Sequence, residues 1–149
     1  MILLTPLDSA QIPTLLSFME AFYALDSYPF DKARAEKMIE SLMAHPDWGK
    51  IYLINHQKEI AGYIILTLGF SFEHGGRDAF IDELYLKPEY RGQGIGKIVL
   101  ERAEKKAREL GIQALHLEVE KHNSRAHKLY LDQGFKSQDR ILMNKPIKP

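Results

Sequence analysis

The chain has 149 residues, 45% of them hydrophobic and 27% charged, and its 20 basic and 20 acidic side chains cancel to a formal net charge of zero. This composition is typical of one globular domain, so we expect residues 1–149 to form a single domain without an overall field that attracts nucleic acid or an anionic membrane. The absence of cysteine excludes disulfides, thiolate metal sites and a cysteine nucleophile.

The first third of the chain predicts one strand and two helices. Residues Ile2 to Thr5 are typical of a short strand. Apolar residues then recur at helical spacing from Ala10 to Leu25, which predicts an amphipathic helix. A second helix is predicted from Lys32 to Ala44, with Asp31 as its N-cap. The buried side of this second helix is predicted to carry Met38, Ile39, Leu42 and Met43.

Three strands are predicted in the middle of the chain. The first two, Ile51 to Ile54 and Ile60 to Leu68, are separated by polar residues that are typical of a hairpin turn. Gly75-Gly76 predicts another turn, which leads into the third strand, Phe80 to Leu86.

A glycine-rich turn follows the third strand. Pro88 ends the strand because proline has no backbone N–H to donate. Glycines then occupy alternate positions from Gly92 to Gly96, and a helical pattern runs from Ile95 to Leu110. Such a turn exposes several backbone N–H groups at the positive end of a helix dipole, an arrangement that suits a phosphate group.

The spacing of the glycines distinguishes among the known phosphate-binding motifs. A dinucleotide fingerprint that starts at Gly92 requires a third glycine at position 97, which is Lys97. A P-loop that ends in Gly96-Lys97 requires serine or threonine at position 98, which is isoleucine. The pattern that does fit is Arg-x-x-Gly-x-Gly, formed by Arg91, Gly94 and Gly96.

A second motif follows a further predicted strand, Ala114 to Val119. It reads Asn-x-x-Ala-x-x-Leu-Tyr-x-x-x-Gly-Phe and extends from Asn123 to Phe135. Together and in this order, the two motifs resemble the signatures of the GNAT superfamily of N-acetyltransferases, in which the first motif binds acetyl-CoA. The resemblance covers residues 48–143.

The fold predicted with this resemblance is α/β (α+β): a single GNAT-like domain with a mixed, mostly antiparallel sheet of about seven strands and four helices. Lys136 to Ile147 is expected to supply two short antiparallel strands. A right-handed crossover leaves strands 80–86 and 114–119 parallel. The resemblance implies that these two central strands are splayed, so that the pantetheine arm of CoA enters between them.

The resemblance implies acetyl-CoA as co-substrate, and the spacing of the histidines gives no helical ligand pair, so we expect no metal. Backbone N–H groups of the turn would hold the pyrophosphate, and main-chain groups of the preceding strand would bond the pantetheine arm. Asn123 would contact that arm or an ordered water, and it also suits the N-cap of a helix that starts at Ser124. The implied cofactor-binding residues are Leu84, Tyr85, Leu86, Arg91, Gly92, Gln93, Gly94, Ile95, Gly96, Lys97 and Asn123.

Acetyl transfer to an amine requires a base for the amine and a proton for the departing thiolate. Asp82 and Glu83 lie in an apolar strand whose alternation places them on opposite faces, so only one is expected to face the cleft. We predict Glu83 as the base in preference to Asp82, with Glu118 as a third candidate that also suits the charge of the acceptor. Tyr130 matches the family tyrosine that protonates departing CoA. The structural alternatives are a hydrogen-bonded carboxylate and a tyrosine that only packs against the sheet.

The connection between the first two predicted helices is implied to border the acceptor pocket. Tyr28 and Phe30 are candidates for substrate binding, with the alternative that they only cover the core. The adjacent Asp26 and Asp31 would attract a cationic amine.

The sequence therefore predicts an N-acetyltransferase that moves the acetyl group of acetyl-CoA to a primary amine of a small molecule by direct transfer in a ternary complex. The alternatives are a protein or peptide N-acetyltransferase and a non-catalytic acyl-CoA sensor. The N-terminus lacks the features of a signal peptide and no run reaches the roughly 18 apolar residues of a membrane span. We expect a cytoplasmic protein with no nucleic-acid or membrane partner, and a homodimer is possible.

Overall fold

The computed structural model describes all residues, 1–149, and is built around a five-stranded sheet in the order β1-β2-β3-β4-β5. Strands β1 to β4 are antiparallel to their neighbours, whereas β5 is parallel to β4. The strands are β1 (Ile2–Pro6), β2 (Gly49–His56), β3 (Glu59–Ser71), β4 (Gly76–Leu86) and β5 (Ala114–His116).

Four α-helices cover the sheet: α1 (Ile12–Leu25), α2 (Lys32–Ala44), α3 (Ile95–Glu109) and α4 (Ser124–Asp132). The predicted cap of α2 is confirmed, since the Asp31 carboxylate accepts a hydrogen bond of 3.1 Å from the Arg34 backbone N–H. The prediction for Met38 is wrong: its side chain is 56% exposed, because α2 packs on the core through Ile39 and Leu42. None of the helices combines the length and the apolar character that a membrane crossing needs.

The sheet separates two apolar cores because helices cover both of its faces. Leu53 and Tyr63 are fully buried on the face that α1 and α2 cover, and Ile54 and Ile64 are fully buried on the face that α3 covers. Burial of each such side chain contributes roughly 1.5–3 kcal/mol to stability. Strands β2 and β3 are therefore buried on both faces of the sheet, and β4 pairs with β3.

The prediction of about seven strands is wrong, because Lys136 to Ile147 forms neither strand nor helix. Three consecutive apolar residues, 141–143, show no alternation between an inner and an outer face, so they define no strand register. Ile141 and Met143 are accordingly 89% and 86% exposed. The predicted strand 114–119 is also shorter than expected and ends at His116.

Strands β4 and β5 pair over only a short distance. Asp78, Ala79 and Phe80 pair with Ala114, Leu115 and His116, and no pairing follows beyond that point. The part of β4 from Ile81 to Leu86 therefore has β3 as its only neighbouring strand. The two strands separate as predicted, and the separation leaves the backbone edge of this part of β4 free for a ligand.

Candidate active site

A β-bulge in β4 turns two consecutive acids toward the same side of the sheet. Ile65 of β3 pairs with Glu83 and Leu66 pairs with Ile81, so Asp82 is an extra residue in the ladder. Regular alternation would have placed the two acids on opposite faces. Instead both line one cavity, and the prediction that only one of them faces the cleft is wrong.

This cavity, which we call the acidic cavity, has a volume of about 440 Å³. It lies between α1, the α1–α2 connection, β4 and the segment that follows β5. Five of its lining residues are acids and none is basic, so it favours a positively charged occupant. The lining residues are Phe22, Tyr23, Asp26, Tyr28, Asp82, Glu83, Glu118, Val119 and Glu120.

Two tyrosines from different elements bind the Glu83 carboxylate. The Tyr23 hydroxyl, on α1, donates to Glu83 Oε2, and the Tyr63 hydroxyl, on β3, donates to Glu83 Oε1, each at 2.8 Å. Neither tyrosine was predicted as a site residue, because in the sequence each has only the spacing of a residue on the apolar face of its own helix or strand. They meet Glu83 through tertiary packing, which no local pattern records.

The environment of the two acids changes their ionisation. Burial raises the pKa of Glu83 and the adjacent Asp82 carboxylate adds to the increase, whereas the hydrogen bonds from Tyr23 and Tyr63 lower it. Partial burial also raises the pKa of Asp82, although its side chain keeps contact with solvent. Burial and the Glu83 carboxylate raise the pKa of both tyrosines, which therefore remain protonated donors.

Two hydrogen bonds join segments that supply walls of the acidic cavity. The Tyr28 hydroxyl donates to Glu120 Oε1 at 2.5 Å, and His122 Nε2 lies 2.9 Å from Asp26 Oδ1. Both bonds connect the α1–α2 connection to the segment between β5 and α4. Asp26, Tyr28 and Glu120 are lining residues, so the two bonds tie together the walls of the cavity that these segments supply.

Only two of the three predicted substrate-binding residues line the acidic cavity. Tyr28 and Glu118 line the acidic cavity, but Phe30 does not. The Phe30 ring packs behind Tyr23, with 5.4 Å between ring centroids. Phe30 therefore supports the wall of the cavity from the core side.

The glycine turn places an open helix N-terminus beside the free edge of β4. Gly94 is the N-cap of α3 and has φ = +78°, a left-handed conformation that other residues adopt only with strain. No side chain caps the first turn of α3, and the position of a Cβ on Gly94 has nothing within 4 Å. The N–H groups of Ile95, Gly96 and Lys97 are therefore available to an anion.

Two arginines lie against the turn. Arg91 Nε donates to the Leu86 carbonyl at 2.8 Å, and its guanidinium lies 5.5 Å from the Tyr85 ring centroid, so Arg91 fastens the turn to the end of β4. Arg125, at the start of α4, packs on Gly92: its Nη2 lies 2.6 Å from where a Cβ would project. The sequence analysis missed Arg125, because only the packing of α4 brings it to the turn.

Of the other predicted turn residues, Gln93 and Gly96 make contacts within the protein and Lys97 is exposed. Gln93 Nε2 donates to the Glu89 carbonyl at 2.6 Å, which closes the turn internally. Lys97 is exposed on the first turn of α3. Gly96 allows α4 to approach, since a Cβ there would lie 3.0 Å from Leu129 Cδ2.

Helix α4 presents Tyr130 on the far side of the segment that follows β5. Tyr130 packs against Phe135 with 6.0 Å between ring centroids, and burial raises its pKa, so its hydroxyl stays protonated. It lines a second cavity of about 970 Å³ between α3, β5, α4 and the C-terminal segment. Glu118 and Val119 line both cavities and thus separate Tyr130 from Glu83.

Asn123 is the predicted cap of α4. Its Oδ1 accepts a hydrogen bond of 3.2 Å from the Ala126 backbone N–H, which confirms the capping role. The cap satisfies a free donor of the first turn of α4, so it stabilises the helix that carries Arg125 and Tyr130.

The residues around the turn fit a CoA molecule. The open first turn of α3, with Arg91 and Arg125 beside it, suits a pyrophosphate. The unpaired edge of β4 at Leu84 to Leu86 offers backbone groups to an extended amide-containing arm. The edge of β4 would not be available if β5 continued alongside it.

Relatives of known sequence support this interpretation. A family model described as "Acetyltransferase (GNAT) family" matches residues 15–135. YycN, an uncharacterized N-acetyltransferase of Bacillus subtilis, is 29% identical over 158 residues, covering 97% of this chain and 98% of that protein. An aminoalkylphosphonate N-acetyltransferase of Salmonella typhimurium is 36% identical over 78 residues, covering 52% of this chain and 51% of that protein.

Solved structures share the fold over nearly the whole chain. An integron cassette protein from the mobile metagenome of a salt marsh, Cole Harbour, has a TM-score of 0.85 and 31% identity, covering 98% of this chain and 91% of that one. A "predicted acetyltransferase" of Clostridium acetobutylicum, crystallised with acetyl-CoA, has a TM-score of 0.79 at 18% identity, covering 97% and 96% of the two chains. With the family match, these likenesses confirm the resemblance inferred from the two motifs: the chain belongs to the GNAT family of acetyltransferases and is an acetyl-CoA-dependent acyltransferase.

Proposed function

We propose that residues 1–149 form one N-acetyltransferase domain that moves the acetyl group of acetyl-CoA to a primary amine of a small molecule, by direct transfer within a ternary complex. The observation that carries this proposal is the acidic cavity, in which the β4 bulge sets Asp82 and Glu83 side by side next to the opening between β4 and β5. A small cavity lined by five acidic side chains and no basic side chain suits a protonated amine.

Acetyl-CoA supplies the acetyl thioester when bound. The first-turn N–H groups of α3, with Arg91, Arg125 and Lys97 nearby, would hold its pyrophosphate, and backbone groups of Leu84 to Leu86 would hold the pantetheine arm. A backbone N–H of that part of β4 would polarise the thioester carbonyl. These residues would thereby hold the thioester next to the acidic cavity.

Glu83 would accept the proton of the acceptor ammonium group. Its pKa is raised by burial, which makes it a stronger base than an ordinary surface carboxylate. The neutral amine then forms the new N–C bond as the C–S bond breaks, and the nitrogen releases its second proton to solvent to give the neutral amide. Asp82 faces the same cavity and is the alternative base; Glu118 would add attraction for the acceptor.

Tyr130 would donate its hydroxyl proton to the departing thiolate sulfur, and the phenolate would recover a proton from solvent. Its burial keeps the hydroxyl protonated until transfer. Because residues 118–119 separate Tyr130 from Glu83, the acceptor proton and the leaving-group proton are handled on opposite sides of the opening.

A small acceptor is favoured over a protein or peptide. The Tyr28–Glu120 and Asp26–His122 hydrogen bonds tie two walls of the acidic cavity together, and we expect a bound peptide to disrupt them. The relative named as an aminoalkylphosphonate N-acetyltransferase gives further support, because an aminoalkylphosphonate is a small amine. The size of the cavity suits a small molecule of this kind.

The first experiment is a thiol-release assay with acetyl-CoA and a panel of diamines, polyamines, amino acids, aminoalkylphosphonates and lysine peptides. We expect release with one class of small amine and none with peptides. Release only with peptides would replace the small-molecule acceptor by a protein. If no amine causes thiol release but calorimetry still shows CoA binding, the acyl-CoA sensor is favoured. If there is neither thiol release nor CoA binding, the proposed function is refuted.

A further inference from the structure

We propose that Tyr23 and Tyr63 are positioning residues that hold Glu83 as the base of acetyl transfer. This inference rests on the proposed function. Each hydroxyl donates to a different oxygen of the same carboxylate, at 2.8 Å in both cases. The carboxylate plane is therefore held at two points, one on α1 and the other on β3.

The two phenols are themselves held by packing. Tyr63 is 0% exposed, and its ring lies 5.9 Å from the Tyr85 ring and 6.3 Å from the Phe22 ring, measured between centroids. The Tyr23 ring lies between Phe22 and Phe30, at 6.1 and 5.4 Å. Neither hydroxyl can swing away without disturbing this aromatic cluster, so the orientation of Glu83 is built into the α1-side core.

The two hydrogen bonds from the tyrosines leave acceptor sites free on the Glu83 carboxylate. A carboxylate oxygen has two acceptor sites, and each oxygen of Glu83 uses one for a tyrosine, so each keeps one for an amine or a water. Because hydrogen bonds to the charged form favour it, the tyrosines keep Glu83 ionised in a site whose burial and neighbouring acids favour protonation. A base must be ionised before it accepts a proton.

The charged and titratable groups around Glu83 come from every element that packs against it, and most of them are acids. The positive charge of Arg34, on α2, counters the increase in the pKa of Tyr23. The groups that face the same cavity as Glu83 are Tyr23, Asp26, Tyr28, Asp82, Glu118 and Glu120, and Tyr63 reaches Glu83 from β3. The tyrosines thus offset a surrounding field that disfavours the ionised base.

The test compares the pH dependence of kcat/KM for the wild type, Tyr23→Phe, Tyr63→Phe and the control Tyr52→Phe. Tyr52 is also a buried strand tyrosine, but it lies in the core on the α3 side and its hydroxyl makes no hydrogen bond. Loss of one donor should move the acid limb of the profile upward by about one pH unit. Tyr52→Phe should leave the limb where it is.

A double-variant experiment separates positioning from general stability. In a Glu83→Gln background, Tyr23→Phe should cause little further loss of kcat/KM, because the residue acts through Glu83. A full additional loss, or an unmoved acid limb in both tyrosine variants, would overturn the proposal.

A readout without an acceptor separates this inference from the proposed function. Carbon NMR titration of the glutamate carboxyls, with Glu83→Gln to assign the signal, should give a higher pKa for Glu83 in Tyr23→Phe than in the wild type. An enzyme that acetylates amines while the Glu83 pKa is unchanged in both tyrosine variants would refute the positioning role alone. A wild type that acetylates nothing would refute the proposed function, and with it the role of Glu83 as a base.

Discussion

At the scale of single residues, the character of Glu83 depends on neighbours that are distant in sequence. The same carboxylate on a regular exposed strand would ionise at its ordinary pKa and turn freely. Here burial and Asp82 raise its pKa, while two tyrosines fix its direction. The site thus combines a strengthened base with a defined geometry.

Glu83→Gln should lower kcat/KM by at least about 100-fold, because removal of a positioned base typically costs 10²–10⁴-fold. Asp82→Asn is the matched comparison, since it neutralises the adjacent acid in the same cavity. We expect a smaller loss for Asp82→Asn, measured by steady-state thiol release. A larger loss for Asp82→Asn would transfer the role of base to that residue.

Tyr130→Phe should lower kcat by about 100-fold or more with little change in CoA affinity, because only the proton for the leaving thiolate is removed. The ring contact with Phe135 is kept, so the fold should be unaffected. Calorimetric titration with CoA alongside single-turnover kinetics measures both quantities. Unchanged turnover would leave Tyr130 as a packing residue.

At the scale of elements, the junction of β4 and α3 is built for a ligand. The strand loses its neighbour after Phe80, and the helix starts without a side-chain cap, so free backbone groups face the same region. The first N–H groups of a helix and the edge of a strand have no partner within their own element, so a ligand can bind to them. Their exposure at this junction is consistent with a bound CoA.

Gly94→Ala should cost about 1–2 kcal/mol of stability, because alanine is strained at φ = +78°, and should also weaken CoA binding. Gly111→Ala is the matched control: Gly111 follows the other end of α3 with φ = +74° and equally open space. We expect a similar loss of stability in urea unfolding but unchanged CoA affinity. Equal CoA affinities in the two variants would contradict a cofactor role for the turn.

At the scale of the whole molecule, the acids that the proposed function needs in the acidic cavity lower the stability of the folded protein. A carboxyl whose pKa is raised in the folded state contributes stability that is complete below its unfolded pKa and is lost as pH rises through its folded pKa. Glu83 and Asp82 both have raised pKa values. Ionisation of these two carboxyls above their raised pKa values therefore costs the folded protein some stability.

The wild type should lose more stability than Glu83→Gln as the pH rises from about 4 to 8, because glutamine has no proton to release. Thermal unfolding of both proteins across this range measures the difference. A Glu83→Gln variant whose stability falls in parallel with the wild type would show that Glu83 is not ionised at a raised pKa in the folded state.

The parts of the protein that local sequence determined are those whose cause is local. The Arg91–Gly96 turn, the Asp31 and Asn123 caps and the four helices follow from backbone preferences and apolar spacing within a few residues, and each is present as predicted. Family membership could likewise be inferred from two short motifs. The expected strands in 136–147 failed because apolar content without alternation does not define a register.

Only the tertiary structure decided how the site is assembled. The bulge at Asp82 arises from the pairing of β4 with β3, which no spacing within β4 reveals, and it alone brings both acids to one cavity. Tyr23 and Tyr63 lie 60 and 20 positions from Glu83 in the chain, and Arg125 lies 33 positions after Gly92 (125 − 92), so helix–sheet packing brings these partners together. Sequence patterns determined which elements form, because those forces act between near neighbours; the packing of the elements decided which side chains meet, because burial acts between surfaces regardless of their order in the chain.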